Sequence, residues 1–481
     1  MIDVLIIGCG ITGAAAAYEL SRYRLSVAAV DRLNDIAGET TRANSGIVHA
    51  GYDPEPGTLM ARLNVRGSEL TRELCGKLDV PYRQNGSLVI GFDAKDRAVV
   101  EKLYRRGLEN KVPGLEIISG GKARELEPNL SADAVCALSA PSGAVVSPWD
   151  LAVALAETAA RNGVKFTLGA EVTGIKRIDG GYSAATSKGE FQARAIVNAA
   201  GLYSDAVHGF LKKPDFRIIP NRGQYYLLDK SAGAIISRTV FQCPNETTKG
   251  ILVTPTAHGN LLIGPSSEDV DCAGDTGTDP QTLNSVAETA RRSVPGINMR
   301  ETIRNFAGVR AISDAGDFII REAEKNFYDL AGIKSPGLTA APAIAEELAR
   351  MMEASGFGLA EKDKNTFIDE RRVIRFRDLD GVRRAELIRR NPAYGRIACR
   401  CETITEGEIF DAFDSPLPPT TLDGVKRRCH AGMGRCQGGF CSPKIIALIA
   451  KRFGIDMLDV LKDREGSYIL TGEKGIKRVK S

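Results

Sequence analysis

No apolar run in this 481-residue sequence approaches the roughly 18 residues that a bilayer crossing needs; the longest are strand-length, as in VLII at residues 4–7. Any membrane contact is therefore expected to be indirect. Aromatic residues are scarce, 6% with one Trp, and the net charge is only +4, which excludes both a stacking platform and a general electrostatic footprint for nucleic acid. The opening MIDVLIIGCG lacks a basic segment ahead of an apolar one and lacks a small-residue cleavage site, so no secretory signal is read and the expected location is cytoplasmic. Ten cysteines are too few for a disulfide scaffold in a chain this long. Histidine is scarcer still, at positions 49, 208, 258 and 430.

What is present is ordinary in bulk and specific in detail. With 43% hydrophobic and 26% charged residues the chain has a globular composition, and its length allows two or three domains. The run VLII is followed by GCGITG, the helix-like AAAAYELSRY and a second strand-like run ending at Asp31. Gly8, Gly10 and Gly13 thus fit G-x-G-x-x-G between a strand and a helix, where absent side chains permit a tight turn and close approach of a pyrophosphate. Asp31 stands eighteen residues after Gly13, placed to accept hydrogen bonds from an adenosine ribose. A dinucleotide site follows from this context, and the fingerprint alone leaves NAD and FAD equivalent.

Further helical and strand-like stretches alternate along the chain, such as 151–161 and 195–198, and they indicate an α/β body. Segments 86–92, 223–228 and 259–264 read as strands bounded by glycines and turns, material for a second, sheet-rich domain. A polar stretch rich in Lys, Asp and Arg begins near residue 361 and leads to five crowded cysteines, 399, 401, 429, 436 and 441, which mark a separate C-terminal domain. Four soft thiolates as two close pairs, Cys399 with Cys401 and Cys436 with Cys441, imply metal. Structural zinc sites use pairs spaced C-x₂₋₄-C, so the one-residue gap of CRC favours a [2Fe-2S] cluster. Cys429 is a spare, and a Rieske-like site, which needs two histidines, is excluded with His430 alone nearby.

Three motifs carry a resemblance. AIVNAAGLYSD at 195–205, with Ala200 and Gly201, resembles the second flavin-contact motif of the D-amino-acid oxidase-like superfamily of FAD oxidoreductases. GIKSPGLTAAP at 332–342, with Gly332, Gly337, Leu338 and Thr339, resembles that superfamily's closing flavin segment. ANSGIVHAGYDPEPG at 43–57, with Asn44 and Ser45, resembles the flavin loop of L-2-hydroxyglutarate dehydrogenases and of related glycerol-3-phosphate dehydrogenases. The CRCE and GMGRCQGGFC segments resemble the bacterioferritin-associated-ferredoxin (BFD)-like [2Fe-2S] domain, and the whole arrangement resembles the catalytic subunit of anaerobic, clostridial-type glycerol-3-phosphate dehydrogenases.

The resemblance implies a Rossmann-like FAD-binding domain with an inserted sheet-rich substrate domain and a small, mostly helical C-terminal [2Fe-2S] domain. It places the FAD-binding parts at about 1–80, 145–215 and 305–360 and the substrate parts at about 81–144 and 216–304. A linker at 361–395, the cluster domain at 396–470 and a basic, frayed tail at 471–481 complete the expected organisation. It implies non-covalent FAD, oxidation of sn-glycerol 3-phosphate to dihydroxyacetone phosphate, and electron transfer through the cluster to partner subunits. Those partners would be an NAD(P)/FAD-type oxidoreductase and a small cysteine-rich protein. The reaction requires a base for the hydroxyl proton and a cation for the substrate's anionic end. His49 and His258 are the candidate bases, and Arg310 in FAGVR is the candidate anion clamp, since a planar guanidinium fork suits phosphate or carboxylate. HAGY at 49–52 and PGLT at 336–339 depart from the membrane-type enzymes' phosphate contacts, leaving Lys334 or Lys249 to restore the charge. The alternatives are oxidation of L-2-hydroxyglutarate or another 2-hydroxy acid, oxidation of an amine or amino acid, and a non-catalytic electron-transfer subunit.

Overall fold

The computed structural model describes residues 1–244, 250–473 and 476–477. The chain forms two compact units, Met1–Arg32 with Ala37–Glu370, and Leu33–Ile36 with Arg371–Ser481.

In the first unit the opening motif folds as β1 (Ile2–Ile7), α1 (Ile11–Leu20) and β2 (Val27–Asp31). β1 is a continuous apolar run because a parallel strand is covered on both faces; Val4, Leu5 and Ile6 are fully buried. It pairs in parallel with β2 on one edge and with β3 (Gly189–Asn198) on the other, and β2 passes the parallel order on to Lys165–Leu168. β3 is long enough to carry two neighbours along its far edge. Its first half meets Gly181–Thr186 antiparallel, and its last residues meet Phe327–Ala331 in parallel, Ile196 opposite Phe327. The alanine-rich α1 is buried nearly all round, against Pro148–Arg161 and the later α3 (Gly337–Ala354), on which α2 (Leu59–Lys77) also packs.

A second sheet of nine strands is built around β4 (Ile218–Leu228) and β5 (Thr302–Ser313), antiparallel from Ile218 opposite Ser313 to Leu228 opposite Thr302. It continues through Leu261–Gly264, Leu252–Pro255 and Thr239–Gln242 to Ser87–Gly91, Cys136–Ala140 and Glu116–Ser119. Leu88, Ile90, Val240, Val253 and Ile263 bury one face against Val286 and Ala290 of helix Pro280–Ser293. β5 runs through residue 305, the expected return to the FAD-binding part, because its ladder with β4 continues to Ser313.

The stretch expected as a linker spans 361–395. Its first ten residues belong to the first unit, where Lys362 N–H donates to Arg22 O at 2.8 Å, Tyr18 and Lys77 meet the Asp369 carboxylate, and Asn162 Nδ2 donates to Ile368 O at 2.8 Å. From Arg371 the chain belongs to the second unit, where Phe376 is buried and its N–H donates to Glu408 Oε1 at 3.1 Å.

The second unit holds four helices, α4 (Gly381–Arg390), α5 (Glu406–Phe413), α6 (Leu422–Cys429) and α7 (Ser442–Phe453), and the strand pair Ile397–Cys399 with Ile404–Thr405. Thr405 and Glu408 close a capping box at the start of α5, satisfying two otherwise unpaired amides. Ile409, Phe413, Val425, Ile445, Ile446 and Ile449 make its core. Of the basic tail, Gly472–Glu473 pairs with Ile476–Lys477, and residues 474–475 and 478–481 lie outside the described residues.

Candidate functional site

Gly8, φ +102°, ends β1 in a turn that an L side chain rarely adopts, and a Cβ there would stand 2.4 Å from Ala199 O. A Cβ on Gly13 would stand 1.9 Å from Gly8 O, so strand and helix meet backbone to backbone. Asp31 Oδ2 accepts Cys9 N–H at 2.6 Å, and Thr41 Oγ1 accepts Ile11 N–H at 3.0 Å, which together set the turn. Gly10 caps α1 without a side chain, and the first bond within the helix runs from Ala14 N–H to Gly10 O. With the Ile11 amide taken by Thr41, the amides that follow it in the first turn have no partner within the helix, as an anion site requires. A Cβ at Gly201, φ +56°, would meet nothing within 4 Å, so the turn after β3 is open above its own backbone. These features fit a dinucleotide, with Gly8, Gly10 and Gly13 under its diphosphate.

The turn of residues 199–204 rests on a buried polar chain. Asn198 Nδ2 donates to Ser204 O at 2.8 Å and to Asp329 Oδ1 at 2.9 Å, and Asp329 Oδ2 is 2.7 Å from His208 Nδ1. His208 is thus part of the support under Ala200 and Gly201.

Residues 40–51 form the loop at the centre of the site. Asn44 locks it, donating to Thr41 O at 2.9 Å and accepting Gly46 N–H at 2.8 Å, so this side chain holds the loop. Ser45, half-buried, sits between Asn44 and the Gly46 turn. Thr339 Oγ1 accepts His49 N–H at 2.9 Å and donates to Ile47 O at 3.3 Å, tying the loop to the first turn of α3. Gly332, φ +64°, and Gly337 shape the approach to α3, whose cap residue Pro336 supplies no side-chain bond, leaving the amides near Leu338 and Thr339 as the second helix start at the site. Lys334 is half-buried in this turn, and Lys249 lies outside the described residues.

His49 is fixed on three sides. Asn64 Nδ2 donates to its carbonyl at 2.9 Å, Tyr52 lies 4.6 Å from its ring, and its Nδ1 accepts Gly51 N–H at 3.1 Å. That last bond places the proton of the neutral ring on Nε2.

Arg310 reaches the same loop through β5. Thr40 Oγ1 donates to Val309 O at 2.6 Å, and a Cβ on Gly308 would stand 1.9 Å from Ala43 O. Arg310, two residues on, shares that face of the strand. Its guanidinium lies over Gly223, the residue paired with Gly308, and its Nη2 donates to Ser266 O at 2.5 Å. Tyr225 and Phe306, stacked at 4.8 Å, border it.

His258 lies elsewhere in its unit's network. Its Nε2 is 3.5 Å from Asp150 Oδ2 and its ring stacks on Trp149 at 6.3 Å, both at the start of helix Pro148–Arg161. The structure therefore gathers Gly10, Asn44, His49, Arg310 and Thr339 around one loop, sets Gly8 and Gly13 against Ala199, and gives His258 an acid partner of its own.

Sequence reasoning passed over Thr41, Asn64 and Asp329. Only Gly223 carried a signal, since an isolated glycine within a strand marks a close approach.

In the second unit Cys401 Sγ lies 3.5 Å from Cys436 Sγ, and Cys441 hydrogen-bonds Cys399. That bond holds the Cys399 thiol below its usual range and pushes Cys441 up. Among the described residues no three of these sulfurs lie within 4.8 Å of one another. A tetrahedral zinc with bonds near 2.3 Å would hold all four at about 3.8 Å. Two pairs, one per metal, is instead the requirement of a two-iron cluster. Gly434 makes room, since its Cβ would stand 2.4 Å from Cys401 Cβ. Cys429 turns away, donating to Val425 O at 3.3 Å, with its thiol pushed up to about 12 by burial.

Comparison with known proteins agrees with both sites. Residues 3–351 match the family model of FAD dependent oxidoreductases, and residues 397–451 match the BFD-like [2Fe-2S] binding domain. A glycerol 3-phosphate dehydrogenase of Caloramator mitchellensis is 46% identical over 477 residues, 98% of each chain. The mitochondrial L-2-hydroxyglutarate dehydrogenase of Arabidopsis thaliana is 27% identical over 401 residues, 72% of this chain and 83% of that one. The structure of the FAD-bound L-alpha-glycerophosphate oxidase of Mycoplasma pneumoniae superposes with a TM-score of 0.73 at 33% identity, covering 77% of this chain and 98% of that one. The dinucleotide turn, the loop under Arg310 and the paired thiols are accordingly those of a chain that belongs to the FAD dependent oxidoreductase family and carries a C-terminal BFD-like [2Fe-2S] binding domain.

Proposed function

We propose that the protein is an FAD-dependent dehydrogenase that oxidises sn-glycerol 3-phosphate to dihydroxyacetone phosphate and sends the electrons out through its cysteine-held cluster. The observation that carries this reading is the match of nearly the whole chain, cysteine unit included, to a glycerol 3-phosphate dehydrogenase, whereas the glycerophosphate oxidase covers about three quarters of it. Bound FAD supplies the two-electron acceptor for the hydrogen leaving C2, and the [2Fe-2S] cluster held by Cys399, Cys401, Cys436 and Cys441 supplies a one-electron outlet.

The chain's own residues do the rest. Arg310, held over Gly223, binds the phosphate and turns the carbinol carbon toward the loop, where orientation alone lowers the barrier. His49 is the residue for the hydroxyl proton, because it lies on the loop that the Arg310 strand covers, while His258 is engaged by Asp150. With Nδ1 accepting Gly51 N–H, the resting neutral ring carries its proton on Nε2; when the Gly51 bond opens, the ring can hold that proton on Nδ1 instead, and Nε2 then has the lone pair that takes up the hydroxyl proton. Asp31, beside the first turn, is the acceptor for the adenosine ribose. A one-electron outlet needs an acceptor, and we read it as a partner oxidoreductase subunit with a small cysteine-rich protein. Among the described residues no helix is long and apolar enough to cross a membrane, so membrane contact would come through such a partner.

The test is anaerobic absorption spectroscopy of the full chain carrying both cofactors. Addition of sn-glycerol 3-phosphate is expected to bleach the flavin, and L-2-hydroxyglutarate to leave it oxidised. Bleaching by the hydroxy acid alone would replace this reading with the 2-hydroxy-acid one.

A further inference from the structure

We propose that the hydroxyl of Tyr225 is a second donor to the substrate's phosphate, beside Arg310, and that it makes the site select a phosphate over a carboxylate. The inference rests on the glycerol 3-phosphate reading of the site.

Alternate residues of a strand share a face, so one face of the β4–β5 ladder carries Asn221 opposite Arg310, Gly223 opposite Gly308 and Tyr225 opposite Phe306. The glycine pair leaves a gap between the other two pairs. Into that gap come the backbone of Ala43, which closes over Gly308, and the Arg310 guanidinium, which lies over Gly223. Tyr225 and Phe306 wall its other side, their rings 4.8 Å apart and 11° from parallel. Gly264 packs on the Tyr225 ring, since a Cβ there would stand 3.0 Å from Tyr225 Cδ1.

Two polar groups on this face keep unused capacity. Among the described residues the Arg310 guanidinium meets no carboxylate, and its one hydrogen bond goes to Ser266 O at 2.5 Å. The nearby acids are taken: Arg222 Nε donates to Glu268 at 3.0 Å, and Asn221 Nδ2 to Asp269 at 2.7 Å. Tyr225 is 4% exposed, yet among the described residues its hydroxyl has no hydrogen-bond partner and is not sealed from solvent. A phenol this buried ordinarily finds a partner. Burial pushes the Tyr225 phenol up against the opposing pull of the Arg310 guanidinium, so it stays protonated and can donate. A carboxylate has two oxygens, and an arginine fork satisfies both. A phosphate has a third terminal oxygen, and the Tyr225 O–H is the donor for it.

The experiment compares the full-length wild type, carrying both cofactors, with Tyr225→Phe, which keeps the ring and its stack on Phe306. Steady-state oxidation of sn-glycerol 3-phosphate with a dye acceptor gives KM and kcat, and inorganic phosphate and acetate are added as competing anions. Tyr225→Phe is expected to raise KM and the inhibition constant of phosphate together, each by about tenfold or more, the loss of a hydrogen bond to a charged group. kcat is expected to hold, and acetate to act on both proteins alike. An unchanged KM and phosphate constant would overturn the inference alone. So would an equal weakening of phosphate and acetate, or a fall in kcat at constant KM, because the hydroxyl would then serve the pocket or the chemistry rather than the third oxygen. A wild type that oxidises L-2-hydroxyglutarate and leaves sn-glycerol 3-phosphate untouched would overturn the glycerol 3-phosphate reading and the inference with it.

Discussion

Gly223 makes the position of Arg310 possible: a Cβ on it would stand 2.1 Å from Arg310 Nη2. Gly223→Ala is therefore expected to act as a partial Arg310 deletion although it removes no functional group. Hydrogen bonds to charged groups contribute about 1.5–3 kcal/mol, so Arg310→Ala is expected to lower kcat/KM roughly 10- to 100-fold, chiefly through KM. The double variant is expected to be no worse than Arg310→Ala alone, because both changes remove one interaction. Steady-state kinetics with a dye acceptor measures all three.

Thr339 holds His49 from α3, and its hydroxyl serves as acceptor and donor at once. Thr339→Val is expected to cost about 1–3 kcal/mol of stability by leaving the His49 amide unpaired, and Thr339→Ser to restore it. Thermal unfolding reads the cost. His49→Gln is expected to lower kcat about 10²- to 10⁴-fold, the usual contribution of a positioned acid-base group, with FAD content unchanged by absorbance.

Asp35 is buried in the second unit between two arginines, 2.7 Å from Arg427 Nη2 and 2.9 Å from Arg428 Nη2. Burial by itself would raise its carboxyl, but the two guanidinium groups hold it well below the usual carboxylate range. Its folded pKa thus lies under the unfolded value of about 3.9, so its stabilisation is complete above that pH and is lost as pH falls below it and through the folded pKa. Asp35→Asn leaves two buried cations facing a neutral group and is expected to cost about 3–5 kcal/mol. Denaturant unfolding at neutral pH measures the cost, and the variant is expected to lose the wild type's steepest acid-dependent component below about pH 4.

Cluster assembly is expected to separate the fifth cysteine from the four proposed ligands. Cys429→Ser is expected to retain full iron and acid-labile sulfide, because its thiol is buried and donates to Val425 O. Gly434→Ala is expected to lose most of both, since its Cβ would collide with Cys401. Iron and sulfide analysis of the two purified variants decides the matter.

Much of this was legible before any fold was known. Glycines at 8, 10 and 13 and an acid at 31 are local demands of one turn, and cysteine spacing at 399, 401, 436 and 441 is likewise short-range along each pair. The family motifs placed the loop at 43–57, and Asn44 proved to lock that loop with its own side chain. Domain limits were less legible. Residue 304 lies inside β5, whose ends depend on a partner strand about eighty residues away, and in the polar stretch after 360 the Asp369 carboxylate packs by meeting Tyr18 and Lys77.

The sequence by itself determined the dinucleotide turn, the cysteine pairs offered as ligands and the α/β succession, since each depends on neighbours in the chain. Only the tertiary structure decided that Arg310 and His49 meet one loop while His258 faces Asp150, because the β4–β5 register sets the face that Arg310 takes and the bonds from Thr339 and Asn64 fix His49. Only it decided how the thiols divide, Cys399 with Cys441 and Cys401 with Cys436, because close pairs in sequence need not share a metal once a chain folds back on itself.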